Sequence, residues 1–167
     1  MCSISAEGEA CTTSESPKET DDLIKVRTKA LTINYALNTR DFGLLSDCLS
    51  ENFVGHWAFF PDTALDKDSF IDSIRHNAEQ YPNWQCKAID IYLHGKGKSR
   101  QGLPEWISMM VDCQQTGVPD GIVRKTFMLL EFRRPETEGA VAGSGAEWLC
   151  TSLKATQGLV AGDVWFI

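Results

Sequence analysis

The sequence predicts an α+β domain in which helices cover one face of a strongly curved antiparallel sheet. Three observations carry that reading. Apolar residues recur at spacings of three and four between Asp22 and Asn38, apolar and polar residues alternate along most of the chain after Pro82, and turn signals separate the alternating runs. A chain of 167 residues with 43% apolar and 23% charged residues is the size and composition of one soluble domain with one core.

Residues 1–21 are set apart as a disordered acidic tail. They hold Glu7, Glu9, Glu15, Glu19 and Asp21 against Lys18 alone, and beyond Met1 only Ile4 is a large aliphatic. Residues 22–167 form the single domain. Its first helix carries Leu23, Val26, Ala30, Ile33 and Leu37 on one stripe, which Ile24, Leu31 and Tyr35 widen. Asp41 caps a short second helix with Phe42, Leu44, Leu45, Cys48 and Leu49, and Asn52 to Trp57 reads as extended chain. A third helix follows Pro61, with Asp66 as N-cap, Leu65 and Phe70 as a hydrophobic staple, and Tyr81-Pro82 as its stop.

Lys87 to His94 alternates, with Ile89, Ile91 and Leu93 on one face. His94-Gly95-Lys96-Gly97-Lys98 reads as a hairpin loop, and Trp106 to Thr116 alternates again. Val118-Pro119-Asp120-Gly121 is a turn, Ile122 to Arg134 the next strand, Glu136 to Ala146 a loose connection, and Glu147 to Thr156 the last pairing strand. Gly158 to Ile167 adds a short extended end.

Six cysteines, at positions 2, 11, 48, 86, 113 and 150, are even in number but far apart, with no CxxC and no secretory leader, so reduced buried thiols are expected. A formal net charge of −7 argues against nucleic acid as a partner. No apolar run reaches the roughly 20 residues that span a bilayer, so no membrane partner and a cytoplasmic location are expected. The three histidines stand far apart and no HxH or HExxH occurs, so no metal is expected. The lone GxG after His94 lacks the third glycine of a dinucleotide fingerprint, and no cofactor is called for.

The phrase Ala36-Leu37-Asn38-Thr39-Arg40-Asp41-Phe42, the segment Asn52-Phe53-Val54-Gly55-His56, the turn Thr116-Gly117-Val118-Pro119-Asp120-Gly121 and the run Leu129-Leu130-Glu131-Phe132 together resemble the nuclear transport factor two-like superfamily. More narrowly, they resemble its SnoaL-like polyketide cyclases and fungal natural-product isomerases. The resemblance covers roughly residues 22–156 and implies a cone-shaped α+β barrel with an apolar pocket between sheet and helices, and pairing of two copies through the outer sheet face. It implies cofactor-independent isomerase, cyclase or dehydratase chemistry on an apolar polyketide- or terpenoid-type metabolite of a secondary pathway. A non-catalytic binding or assembly module on the same fold is the alternative, since the fold does not select the reaction. One departure stands out. Fungal relatives open the strand after this turn with an Asn-Glu-Tyr-like triplet, and here Arg124-Lys125-Thr126 occupies that place.

Candidate site residues follow from alternation. Pairing Gln115 with Arg124 sets Cys113 opposite Thr126, Val111 opposite Met128 and Met109 opposite Leu130, giving an apolar face that turns polar at its turn end. A register slipped by one would bury Asp112 and Lys125. Arg124 can hold an enolate or carboxylate through its fork, although a strand-end arginine in solvent is the plainer reading. His56 is the natural proton carrier, its imidazole titrating near neutrality, and relatives place a histidine after the Phe-Val pair in the cavity. Tyr35 can donate to a substrate oxygen, Asp62 can orient His56, and Trp57, Phe59 and Phe60 can form an apolar wall; core packing or a turn role is the alternative for each. Asp112, Glu131, Trp148, Cys150, Ser152 and Lys154 fall on the outer face, the last four as a dimer surface.

Overall fold

Asp41 and Asp66 each precede a helix and accept a hydrogen bond from the backbone amide three residues on, Leu44 at 2.9 Å and Ser69 at 2.8 Å, which satisfies donors that the first turn leaves open. These two caps fix where the short helices begin. The computed structural model describes residues 17–56, 63–98, 104–118, 120–135 and 147–157. Its described elements are α1 (Pro17–Thr39), α2 (Phe42–Cys48), β1 (Leu49–His56), α3 (Lys67–Gln80), β2 (Gln85–Lys98), β3 (Pro104–Thr116), β4 (Val123–Arg133) and β5 (Leu149–Gln157). Trp57, Phe59, Phe60, Asp62, residues 136–146 and residues 158–167 lie outside the described residues.

The helix α1 starts at Pro17, earlier than its apolar pattern, with proline in the first turn where a missing N–H is harmless. Val26, Ala30, Ile33 and Leu37 are buried, but Ile24, Leu31 and Tyr35 stay 59%, 43% and 60% exposed, so the buried stripe is the narrow one and these three do not widen it. Among the described residues no helix is long and apolar enough to cross a membrane.

The sheet runs β1-β5-β4-β3-β2. Strands β2 to β5 form the antiparallel meander, curved and unclosed, with the helices packed on one face; β1 adds to β5 in parallel, so the sheet is mixed where an all-antiparallel one was expected. The β3–β4 ladder has the expected register throughout, with Gln115 opposite Arg124 and Met109 opposite Leu130.

Three ladders depart from simple alternation, and in β1–β5 the register shifts between Leu49 and Val54. On β2, partners skip from Ala88–Cys113 to Asp90–Asp112 and from Leu93–Met109 to Gly95–Ser108, so Ile89 and His94 are extra residues in bulges. The face therefore changes at Ile89: Ala88 and Ile91, three apart, both pair with inner-face residues, Cys113 and Val111. Ile91 and Leu93 share a side as expected, opposite Val111 and Met109, while the inserted Ile89 is exposed. The stretch His94 to Lys98 is strand and not a hairpin loop, and a Cβ on Gly97 would sit 2.1 Å from the Trp106 indole nitrogen on the facing strand, so glycine there lets the ring lie against the backbone. On β5, a bulge at Thr151 separates Phe132–Cys150 from Glu131–Ser152. It turns Cys150 inward, fully buried, and leaves Ser152 and Lys154 outside; Trp148, just before the strand, is 2% exposed. Neither Trp148 nor Cys150 belongs to an outer surface.

The turn into β4 is held by Gly117 at φ +83°, where a Cβ would lie 2.3 Å from the carbonyl oxygen of Asn83, and by Gly121 at φ +81°. The core sits between the inner sheet face and the helices. The largest side chains there include Phe53, Phe70, Phe132, Ile33, Leu130 and Leu153, each under 2% or at 2% exposure.

Candidate functional site

Side chains of residues paired across a ladder point to one side, so the rows of β2, β3 and β4 can be followed along the inner face. Met109–Leu130 and Val111–Met128 are packed solid against the α1 stripe, all at 3% exposure or less. Nearer the turn the rows become polar. Cys113 faces Thr126 and Ala88, and Gln115 faces Arg124 on one side and Cys86 on the other. Cys86, Gln115 and Arg124 therefore form one row across three strands, with steps of about 4.8 Å.

This polar end is tightly organised. The Thr126 hydroxyl donates to Gln115 Oε1 at 3.1 Å, and both residues are 4% exposed. The Nε of Arg124 and the Nε2 of Gln115 are shielded from solvent. From α1, Asn34 and Asn38 each donate to the Cys86 carbonyl oxygen at 2.8 Å, and the Cys86 amide donates to Asn38 Oδ1 at 2.7 Å. Asn34 Nδ2 also approaches Cys113 Sγ at 4.0 Å. The two asparagines clamp the start of β2 to the helix and satisfy polar groups that burial would otherwise leave costly.

The thiols differ in character. The Cys113 thiol, hydrogen-bonded to the Cys86 sulfur, lowers Cys86 below the ordinary thiol value against the opposing effect of burial. Cys113 is pushed up by that same bond, then by burial. Cys48 and Cys150 are both pushed up, chiefly by burial, which marks them as inert core thiols.

The structure brings together Arg124, Gln115, Thr126 and Cys113, with Val111 and Met128 continuing the wall. It does not bring His56 or Tyr35 to them. His56 pairs with Lys154 on β5, next to Gly55–Leu153. Leu153 is core, so Gly55 faces inward and His56 outward. A Cβ on Gly55 would lie 2.5 Å from the Phe70 ring, which confirms that Gly55 faces the helices; the tilted Phe53–Phe70 pair, 5.0 Å between centroids, fills that position. His56 and Arg124 thus point to opposite faces. Tyr35 projects from the solvent side of α1.

Cys86, Asn34 and Asn38 escaped the sequence reading. The signal was there for the asparagines: Asn34 and Asn38 stand four apart beside the buried Ile33 and Leu37, polar residues on an apolar stripe. Among the described residues, no carboxylate or imidazole shares the rows of Cys86, Gln115, Arg124 or Thr126. Nor, among those residues, do three His, Cys, Asp or Glu side chains cluster so as to hold a metal ion. An open groove of about 640 Å³ lies by Ser50, Val54, Glu131, Arg133 and Thr151. Its charges are already paired, Arg133 with Glu131 at 3.0 Å and Glu51 with Lys67 at 2.8 Å, so it is a weaker candidate.

No family model matches the sequence, and no curated protein matches it either. Solved structures do. A hexachlorocyclohexane dehydrochlorinase of Novosphingobium barchaimii superposes with a TM-score of 0.64 at 10% identity, over 86% of this chain and 92% of that one. An NTF2-like protein of unknown function from Pseudomonas putida gives 0.63 at 11%, over 86% and 91%. A ketosteroid isomerase-like protein of Erwinia carotovora gives 0.55 at 13%, over 84% and 98%. At these identities the likeness is one of fold, and the chain has the nuclear transport factor two-like α+β fold that its short motifs resemble.

Proposed function

We propose that this chain is a cofactor-independent enzyme that enolises a largely apolar metabolite of polyketide or terpenoid type, as an isomerase, cyclase or dehydratase of a secondary pathway. The observation that carries the reading is the placement of two enclosed donors, Arg124 and Gln115, at the polar end of an apolar inner wall. When a proton leaves the carbon beside a carbonyl, negative charge gathers on the oxygen. Fixed donors in a water-poor site stabilise that charge more than they stabilise the neutral ketone, which is what lowers a barrier. Thr126 fixes the orientation of the Gln115 amide through its bond to Oε1 and so holds one donor in place before substrate arrives. The neighbours named as a dehydrochlorinase and as ketosteroid isomerase-like support proton-transfer chemistry on this fold.

The test is hydrogen–deuterium exchange at the α-carbon of a β,γ-unsaturated cyclohexenone, followed by proton NMR with the full chain in heavy water. Faster exchange and conjugation than in buffer are expected. A rate equal to that of buffer rejects the enzyme and favours the second reading, a small-molecule carrier or assembly module, to which the outward direction of His56 lends support.

The same proposal includes a homodimer through the outer sheet face, where Val123 and Phe127 of β4 and Tyr92 of β2 are 50%, 37% and 44% exposed. A dimeric mass by sedimentation is the expected result; a monomeric mass at micromolar concentration removes this part.

A further inference from the structure

We propose that the outer sheet face meets a second copy of this chain in one register, with Lys154 and His56 of each protomer set against the partner's Asp112 and the partner's Asp90. The inference rests on the proposed outer-face dimer and deepens it by naming the groups that select the partner.

The pattern lies in the rows of the outer face, where residues paired across a ladder share a side. One row runs His56, Lys154, Leu129, Met110 and Tyr92, from β1 to β2. The next row, two residues nearer the β3–β4 turn, runs Thr156, Phe127, Asp112 and Asp90. Two hydrogen-bond donors thus stand side by side at one end of a row, and two carboxylates face each other at the opposite end of its neighbour. Carboxylates directly opposed on adjacent strands repel. Asp90 Oδ1 accepts from the Ile91 amide at 2.7 Å, but among the described residues neither carboxylate forms an ion pair, and neither do Lys154 and His56. Lys87 and Lys125 stand one row beyond the carboxylates with Gln114 between them, and Glu131 stands one row beyond Lys154.

The arrangement is symmetric about β4, the middle strand of the five. Lys154 and Asp112 lie one strand to either side of it, and His56 and Asp90 lie two strands to either side. Both midpoints fall on β4 between Leu129 and Phe127. A two-fold axis lying in the interface along β4, through that point, carries each Lys154 onto the partner's Asp112 and each His56 onto the partner's Asp90, and makes both contacts twice. The imidazole offers an N–H to a carboxylate in either charge state. Phe127, Leu129, Met110 and Tyr92 supply an apolar centre, so the opposite charges frame a patch that association strips of water. Repulsion that each carboxylate pair costs the single chain is offset in the pair of chains. A stacking that set the carboxylates on their own copies would gather four like charges, so the face rejects other registers as well as favouring this one.

Sedimentation of the full chain at neutral pH tests the register. Lys154→Glu brings like charges together at two symmetric contacts, and Asp112→Lys does so with the signs reversed. Each is expected to raise the dissociation constant of the dimer by about 10²-fold, with an unchanged far-ultraviolet circular dichroism spectrum because both side chains point away from the core. An equimolar mixture of the two variants is expected to regain a dimer of mixed chains, since opposite signs then meet at both contacts. Recovery on mixing is a readout that simple damage to either chain does not give. Variants that each dimerise as the wild type does overturn this register and leave the outer-face dimer standing. Variants that are monomeric alone and stay so when mixed overturn the pairing of Lys154 with Asp112. A monomeric wild type sinks the proposed dimer and this inference together.

Discussion

Replacing Asp22 by alanine is expected to destabilise the fold by about 3–5 kcal/mol, the usual consequence of leaving one member of a buried ion pair uncompensated. Asp22 is 1% exposed in the second turn of α1. Its Oδ1 accepts from Arg134 at the end of β4 and from the Trp148 indole at 3.3 Å just before β5, and the Arg134 guanidinium lies 4.6 Å over the Trp148 ring. One carboxylate thus fastens the start of the longest helix to the ends of two central strands. Without it Arg134 keeps its charge against an aromatic face with no counter-ion, at only 23% side-chain exposure. The comparison is Asp21→Ala next door, where the carboxylate is 58% exposed and paired with Lys25 at i, i+4; that change should stay within about 0.5 kcal/mol. Urea midpoints of the two variants settle the matter, and similar midpoints would remove the triad from the account of stability.

Arg124→Met is expected to lower kcat/KM for the cyclohexenone by about 10²- to 10³-fold, or about 2.7–4 kcal/mol, the range for losing one fixed donor to a developing oxyanion. The loss should fall on kcat with KM little changed, because the ketone oxygen gains most of its charge only in the transition state. Arg124→Lys should lie between, keeping charge but losing the planar fork that approaches an oxygen from a set direction. Methionine preserves the apolar stem of the side chain, so the neighbouring Thr126–Gln115 bond provides a control: its hydroxyl proton should remain slow to exchange. A variant that changes KM alone would make Arg124 a ground-state contact and not a stabiliser of the enolate.

The parts of this molecule that could be read from the chain are those decided locally. Asp41 and Asp66 announce helix starts because a cap acts over three residues, and the β3–β4 register follows from a glycine-bearing turn between two runs whose alternation tolerates only one pairing. What could not be read depends on partners far along the chain. The bulges at Ile89, His94 and Thr151 insert a residue without altering local composition, yet each reverses the faces beyond it, which is why Ala88 and Ile91 share the inner face while Cys150 and Ser152 lie on opposite faces. The outward direction of His56 follows from Gly55 meeting Phe70, a residue of α3, and from a parallel pairing with the last strand. Cys86 reads as one more buried thiol until α1, β2 and β3 are assembled around it.

The strand β2 closes the sheet at one side, with fourteen residues whose outer amides and carbonyls could template a stranger's backbone. Its two inserted residues interrupt that row at Ile89 and His94, and Lys87, Lys96 and Lys98 punctuate it with positive charge. A second molecule cannot lay a long straight strand along such a border without losing bonds at every kink. The same irregularities that re-aim side chains inside the cone therefore keep the protein from polymerising edge to edge, and straightening either kink by deletion would expose the chain to fibril growth.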